Sequence, residues 1–185
     1  MSNQLTRRKF LKTAAMGAVG VAVFPQFVTS CQNKKAQTAD DGIIRLGFVG
    51  LGQQAMYLLN GYMGMEGVEV VAGCDVYGIK RERFLKRVND HNATKQKAVS
   101  VDVYENYKDL IARDDIDAVV MATPDHWHAF IAIAACNAKK NVYLEKPLTF
   151  TIREGQELVK AVRANNVILG VWAVSNVLTR ISSTP

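Results

Sequence analysis

From position 43 onward, short apolar runs alternate with segments of helical period, and this alternation constrains the fold more than any other feature of the chain. The runs Ile43–Val49, Glu69–Cys74, Ala98–Val103, Asp117–Thr123, Asn141–Leu144 and Val167–Trp172 predict six strands. Between them, Gln53–Met63, Ile79–Val88, Tyr107–Arg113, Trp127–Ala138 and Ile152–Asn165 predict five helices. Runs such as Ala118-Val119-Val120-Met121-Ala122 are apolar throughout instead of alternating, as expected of parallel strands covered on both faces. The expected class is therefore an α/β fold with a doubly wound parallel sheet. Phe84, Leu85 and Val88 give the second helix a core face, with Lys80, Arg81, Arg83, Lys86 and Arg87 expected in solvent around it. Leu158, Val159, Ala161 and Val162 do the same for the last helix.

The first strand runs directly into Gly50-Leu51-Gly52-Gln53-Gln54-Ala55, a G-x-G-x-x-A loop that opens the first helix. Gly50 permits a tight turn and Gly52 lets a pyrophosphate approach the backbone. Ala55 is small enough for close packing of helix on strand. The helix amides and the positive end of the helix dipole then face the phosphates. Asp75 ends the second strand 25 residues after Gly50, where a carboxylate accepts hydrogen bonds from an adenosine ribose and repels a 2′-phosphate. A Rossmann domain binding NAD in preference to NADP is the reading these residues support. The alternative for Asp75 is a turn or helix-capping role.

Charge and cysteine usage narrow the other classes. Of the formal +6, Arg7, Arg8, Lys9 and Lys12 sit in the first 30 residues with no acid, leaving 19 basic against 17 acidic residues. The remainder carries no basic stripe with interleaved aromatics, so no nucleic-acid partner is expected. Cys31, Cys74 and Cys136 form no CxxC pair and have no histidine at metal-ligand spacing, so no metal site is expected. Cys74 and Cys136 read as small buried hydrophobes. At the N-terminus, Thr6-Arg7-Arg8-Lys9-Phe10-Leu11-Lys12 precedes an apolar stretch from Ala14 to Phe27, too short to span a bilayer. That pattern is similar to a twin-arginine export signal, which implies the twin-arginine export machinery as a partner. Val28-Thr29-Ser30-Cys31 resembles a bacterial lipobox, implying either a lipid anchor at Cys31 or cleavage without lipidation. The expected organisation is a leader over 1–31, a flexible linker over 32–42, the dinucleotide domain over 43–172 and an irregular tail over 173–185. The expected location is exported, periplasmic or tethered to a membrane.

Two more motifs fall at the carboxyl ends of the fourth and fifth strands, the edge where ligands of such sheets bind. They are Thr123-Pro124-Asp125-His126-Trp127-His128 and Glu145-Lys146-Pro147-Leu148. With the glycine loop and Asp75, they resemble the glucose-fructose oxidoreductase and inositol dehydrogenase family, Gfo/Idh/MocA, over roughly 43–171. The resemblance implies that Thr123 and Pro124 line the nicotinamide-ribose side, with His128 as the terminal histidine of T-P-x-x-x-H. It places Glu145, Lys146 and Pro147 on the family's E-K-P motif, whose lysine lies near nicotinamide and substrate with a catalytic or proton-handling role. Lys146 and His128 are thus the catalytic candidates. A desolvated lysine beside a cationic nicotinamide would exchange a proton with a sugar hydroxyl as hydride moves. Alternatively, Lys146 forms an ion pair with Glu145 or Asp125 that only shapes the loop. His126 and His128 each read as either packed residues or substrate ligands, and Trp127 as core or cleft wall.

The resemblance also implies homo-oligomers and a C-terminal α/β domain that covers the cleft and selects the substrate. Val171-Trp172-Ala173-Val174-Ser175 departs from the family pattern, and the expectation is a chain without that second domain, through truncation or a change of reading frame. The leading function is an NAD-dependent oxidoreductase, or a remnant of one, acting on a sugar, polyol or related hydroxyl compound. A glycosidase- or lyase-type reaction with internal recycling of the cofactor is the alternative, and an inactive nucleotide-binding module is a third class.

Overall fold

The computed structural model describes residues 42–171 apart from Lys97. The expected leader, lipobox, linker and tail lie outside the described residues. Six strands form one parallel sheet: β1 (Ile44–Val49), β2 (Val68–Cys74), β3 (Asp102–Tyr104), β4 (Ala118–Met121), β5 (Asn141–Leu144) and β6 (Leu169–Val171). Their order is β3-β2-β1-β4-β5-β6, with the chain reversing its direction of travel across the sheet between β1 and β4. Five helices make the connections: α1 (Gln53–Met63), α2 (Gly78–Thr94), α3 (Tyr107–Ile111), α4 (His128–Asn137) and α5 (Ile152–Asn165). The predicted doubly wound α/β fold is what the chain adopts.

Two apolar clusters sandwich the sheet. Phe48 on β1 meets Phe84 of α2 at 5.8 Å and Tyr62 of α1 at 6.0 Å between ring centroids. Burying rings of this size stabilises the fold by roughly 2–3 kcal/mol each. Gly73 on β2 leaves the room Phe84 needs, since a Cβ there would lie 2.5 Å from the ring. In the other cluster, Val119 and Met121 pack with Ile131, Ala132 and Ala135 of α4 and with Leu158 of α5. The small residues of α4 let that helix pack closely, and Cys136 is buried among them, its thiol pushed up to about 11 by burial. Thr151 starts α5 with a capping box: its hydroxyl accepts from Glu154 N–H at 3.2 Å, while Glu154 accepts from Thr151 N–H at 3.0 Å.

Two elements and one core residue differ most from the sequence expectation. The third strand is the short edge segment Asp102–Tyr104, not Ala98–Val103, because β3 pairs only with the last three residues of β2. The second helix runs on to Thr94, through polar residues that carry no apolar period, with Lys86 and Asp90 paired at 2.6 Å across one turn. Val159 is largely outside the core, so α5 buries Leu158 and Ala161 only.

At the amino edge of the sheet, charges are paired. The Arg113 guanidinium spans Asp115 at 2.6 Å and Asp102 at 2.7 Å, and the buried Lys140 ammonium donates to the Arg113 carbonyl at 2.6 Å. The hydrogen bond from Arg113 holds the Asp115 carboxyl below the usual carboxylate range.

Candidate dinucleotide site

Register brings the carboxyl ends of the strands together: Val49 lies opposite Cys74 and Met121, and Met121 opposite Leu144. The loops that follow β1, β2, β3 and β4 line a cleft of about 220 Å³. Gly50, Asp75, Tyr77, Lys80, Thr123, Pro124 and Trp127 are among its walls.

The glycine loop is shaped as a close approach to a ligand requires. Gly50 has φ +81°, and a Cβ on it would meet the Ala122 carbonyl oxygen at 2.7 Å. Gly52 is different in kind: a Cβ there would meet nothing within 4 Å. Its missing side chain therefore leaves free space at the start of α1. No side chain caps that helix, and Met56 N–H is the first to find its turn's acceptor, Gly52 O, at 3.2 Å. The amides of Gln53, Gln54 and Ala55 precede it and, by helix geometry, have no intrahelical partner. Ala55 is buried against the sheet, as expected of the third position of the motif.

Asp75 is 8% exposed and fixed from two sides. Leu51 N–H donates to Oδ2 at 2.8 Å and Tyr77 N–H to Oδ1 at 3.0 Å. A carboxylate offers about four acceptor positions, so these bonds orient it while leaving capacity for ribose hydroxyls. The turn role and the ligand role are compatible here. Lys80 Nζ lies 3.5 Å from Oδ2 and 4.7 Å from the centre of the Tyr77 ring. Cys74, beside Asp75, has its thiol pushed up to about 12, first by burial and then by the Asp75 charge. It is a packed residue, as the sequence suggests.

Thr123 ends the fourth-strand segment with its Oγ1 buried and without a hydrogen-bond partner. An unsatisfied buried hydroxyl in a cleft wall calls for a ligand or solvent acceptor. The donors at the start of α1, the open space at Gly52, the oriented Asp75 carboxylate and this hydroxyl together fit a dinucleotide.

His128 takes the packed one of its two readings. It is 1% exposed, with Nδ1 2.6 Å from Pro147 O and Nε2 2.9 Å from Thr123 O. Carbonyl oxygens only accept, so the neutral ring donates to one of the two and only the imidazolium donates to both. His128 thus links the fourth-strand loop to the fifth-strand loop and is not among the residues that line the cleft. His126 is the histidine on the exposed edge, and Trp127, 46% exposed, forms cleft wall, not core. Lys146 and Pro147 are exposed, so the desolvation expected at Lys146 is not provided by the described residues alone. Glu145 is 6% exposed and accepts from Gln54 Nε2 at 2.6 Å and from Lys146 N–H at 3.3 Å. Its charge and, above all, burial push the Tyr143 hydroxyl up to about 12.

Sequence reading missed several of these residues. Arg83, expected in solvent, donates to the Leu51 carbonyl in the glycine loop at 2.6 Å. Arg81 donates to the Asp75 carbonyl at 2.6 Å. Gln54 occupies a variable place in the motif, and nothing local signals its tie to Glu145.

A parallel sheet with a glycine loop, a buried acid after β2 and a cleft at its reversal point defines a dinucleotide-binding domain. The chain belongs to the Gfo/Idh/MocA oxidoreductase family, whose NAD-binding Rossmann model matches residues 44–172. It is 30% identical over 178 residues to the alpha-N-acetylgalactosaminidase of Tannerella forsythia, covering 90% of this chain and 38% of that protein. The structure of myo-inositol 2-dehydrogenase from Lactobacillus plantarum superposes with a TM-score of 0.62 at 27% identity, over 70% of this chain and 36% of the other. A variant of a 3-ketoreductase from Actinomadura kijaniata, solved with TDP-benzene and NADP, gives a TM-score of 0.61 at 28% identity, over 70% and 37%. The chain thus spans less than two-fifths of the length of each of these relatives.

Proposed function

We propose that this domain holds NAD at the carboxyl edge of its sheet and forms the cofactor half of an oxidoreductase acting on a sugar, polyol or related hydroxyl compound. The observation that carries the reading is the cleft lined by Gly50, the oriented Asp75 and Thr123 with its unpartnered hydroxyl. The amides at the start of α1 bind the pyrophosphate, and Asp75 accepts from the adenosine ribose. Thr123 and Pro124 line the nicotinamide-ribose side. The bound nicotinamide supplies hydride chemistry. Lys146 holds or moves a proton at Nζ on the exposed edge, with Glu145 and Pro147 as its neighbours.

NAD is favoured over NADP because the Asp75 carboxylate repels a 2′-phosphate, although Lys80 at 3.5 Å narrows the preference. Titration calorimetry of the full chain with NAD, NADP and ADP-ribose tests both points. Binding of NAD and ADP-ribose with a weaker NADP response is expected, and no binding of any of the three would refute the reading. The kinship with a galactosaminidase favours a second reaction, glycoside cleavage with the hydride returned to the substrate in each turnover. A hydrolysed glycoside without net change in nicotinamide absorbance distinguishes it from net oxidation. The Thr6–Lys12 pattern supports export and Cys31 supports a lipid tether. A mass of the native protein showing an intact, unmodified N-terminus would refute both.

A further inference from the structure

The Lys146–Pro147 segment is held on both sides by side chains that start from nucleotide-facing loops. On one side, Glu145 takes the Lys146 N–H at 3.3 Å through Oε2, and the Gln54 amide at 2.6 Å through Oε1. Gln54 lies in the first turn of α1, where the amides lack intrahelical partners. On the other side, His128 bridges Pro147 O at 2.6 Å and Thr123 O at 2.9 Å, and Thr123 carries the unpartnered hydroxyl of the cleft. Glu145 and His128 are both buried, so neither can exchange these partners for water without opening the packing. Gln54 is the exposed member of the three.

We infer that Gln54 and Glu145 are positioning residues that couple occupancy of the glycine loop to the backbone at Lys146. A pyrophosphate at the start of α1 orders Gln54, the Gln54 amide fixes the Glu145 carboxylate, and that carboxylate fixes the Lys146 N–H. His128 sets the Pro147 carbonyl independently of this route. The inference rests on the dinucleotide reading above but needs no nicotinamide. The same ordering therefore follows from a ligand that carries only the pyrophosphate end.

ADP is the probe, and amide exchange at Lys146 in the full chain, read by NMR, is the measurement. ADP is expected to slow that exchange about fivefold, the low end of ordinary coupling between sites. Gln54→Ala, at an ADP concentration its own titration shows to be saturating, should lose the slowing. Gln54→Glu, which sets two carboxylates against each other without harming the first turn of a helix, should lose it as well. Gln54→Arg, which keeps a donor to Glu145, should restore it. ADP binding to the wild type without slowing at Lys146 would overturn the coupling alone, as would undiminished slowing in both Gln54→Ala and Gln54→Glu. No ADP binding to the wild type would overturn the dinucleotide reading and the coupling together.

Discussion

The two glycines of the loop should respond to substitution in opposite ways, because one answers to the fold and the other to the ligand. At Gly50 the backbone has φ +81°, a region that costs an L-residue about 1–2 kcal/mol. An added Cβ also meets the Ala122 carbonyl at 2.7 Å, and a backbone atom cannot swing away as a side chain can. Overpacking of that kind costs about 1–3 kcal/mol, so Gly50→Ala should lose about 2–5 kcal/mol, or roughly 10 °C in Tm. At Gly52, φ −71° and ψ −169° suit any residue, and a Cβ meets nothing within 4 Å. Gly52→Asp supplies the side-chain cap that α1 lacks and puts a negative charge at the helix N-terminus, a gain of about 0.3–1 kcal/mol. The same carboxylate would stand where a pyrophosphate belongs. At about 4 Å and an effective dielectric near 20, each pair of like charges is worth up to about 4 kcal/mol before screening. A loss of at least about tenfold in NAD affinity follows. Urea unfolding of the ligand-free proteins and calorimetric titration with NAD check both halves. Parallel destabilisation of the two variants, or NAD binding by Gly52→Asp as tight as by the wild type, would refute the reasoning.

Thr123→Val removes the unpartnered buried hydroxyl at nearly constant shape; the ligand-free protein should hold its stability or gain about 1 kcal/mol while NAD binding weakens, read by melting with and without nucleotide. Asp75→Ala leaves the Leu51 and Tyr77 amides without their acceptor, so it should lose about 1–3 kcal/mol of stability in addition to NAD affinity, both measurable in the same titrations. Asp115 titrates below the usual range because of Arg113, so its folded value lies under its unfolded one. Its contribution is then complete above about pH 4 and fades as pH falls through the folded value, and the stability gap between wild type and Asp115→Asn should shrink from pH 7 to pH 2.5 in urea titrations. An equal gap at both pH values would contradict the assignment.

The architecture was legible because it depends on runs of like residues. Apolar stretches at β1, β2, β4 and β5 are each long enough to announce a buried strand, and β5 and α5 begin and end where the pattern says. β3 was not, since an edge segment pairing three residues has little apolar demand and its neighbours Ala98 to Val101 look equally strand-like. The loop glycines, Asp75 and the E-K-P segment were legible as motifs. Their supports were not. Arg83 reaches Leu51 across 32 positions and Gln54 reaches Glu145 across 91, distances over which no local period operates. The burial of His128 likewise follows from two carbonyls, one of them 19 residues away, that the histidine alone does not foretell.

The two edges of the sheet differ in a way that supports the carboxyl edge as the candidate site. At the amino edge, Arg113 satisfies Asp115 and Asp102, and Lys140 satisfies the Arg113 carbonyl, so these groups complete one another. At the carboxyl edge, buried side chains hold loops in place: Asp75 orients the Leu51 and Tyr77 amides, His128 links Thr123 to Pro147, and Glu145 links Gln54 to Lys146. Yet the Thr123 hydroxyl and the first amides of α1, the groups these bonds display, are left without protein partners. Unpaired polar groups lower stability, and a fold gains nothing by fixing them so firmly unless something else completes them. A domain selected for stability alone would have capped α1 and paired the hydroxyl. Leaving both open inside a rigid frame is the arrangement expected of a preorganised site, in which the ordering cost is met during folding instead of at the moment of binding.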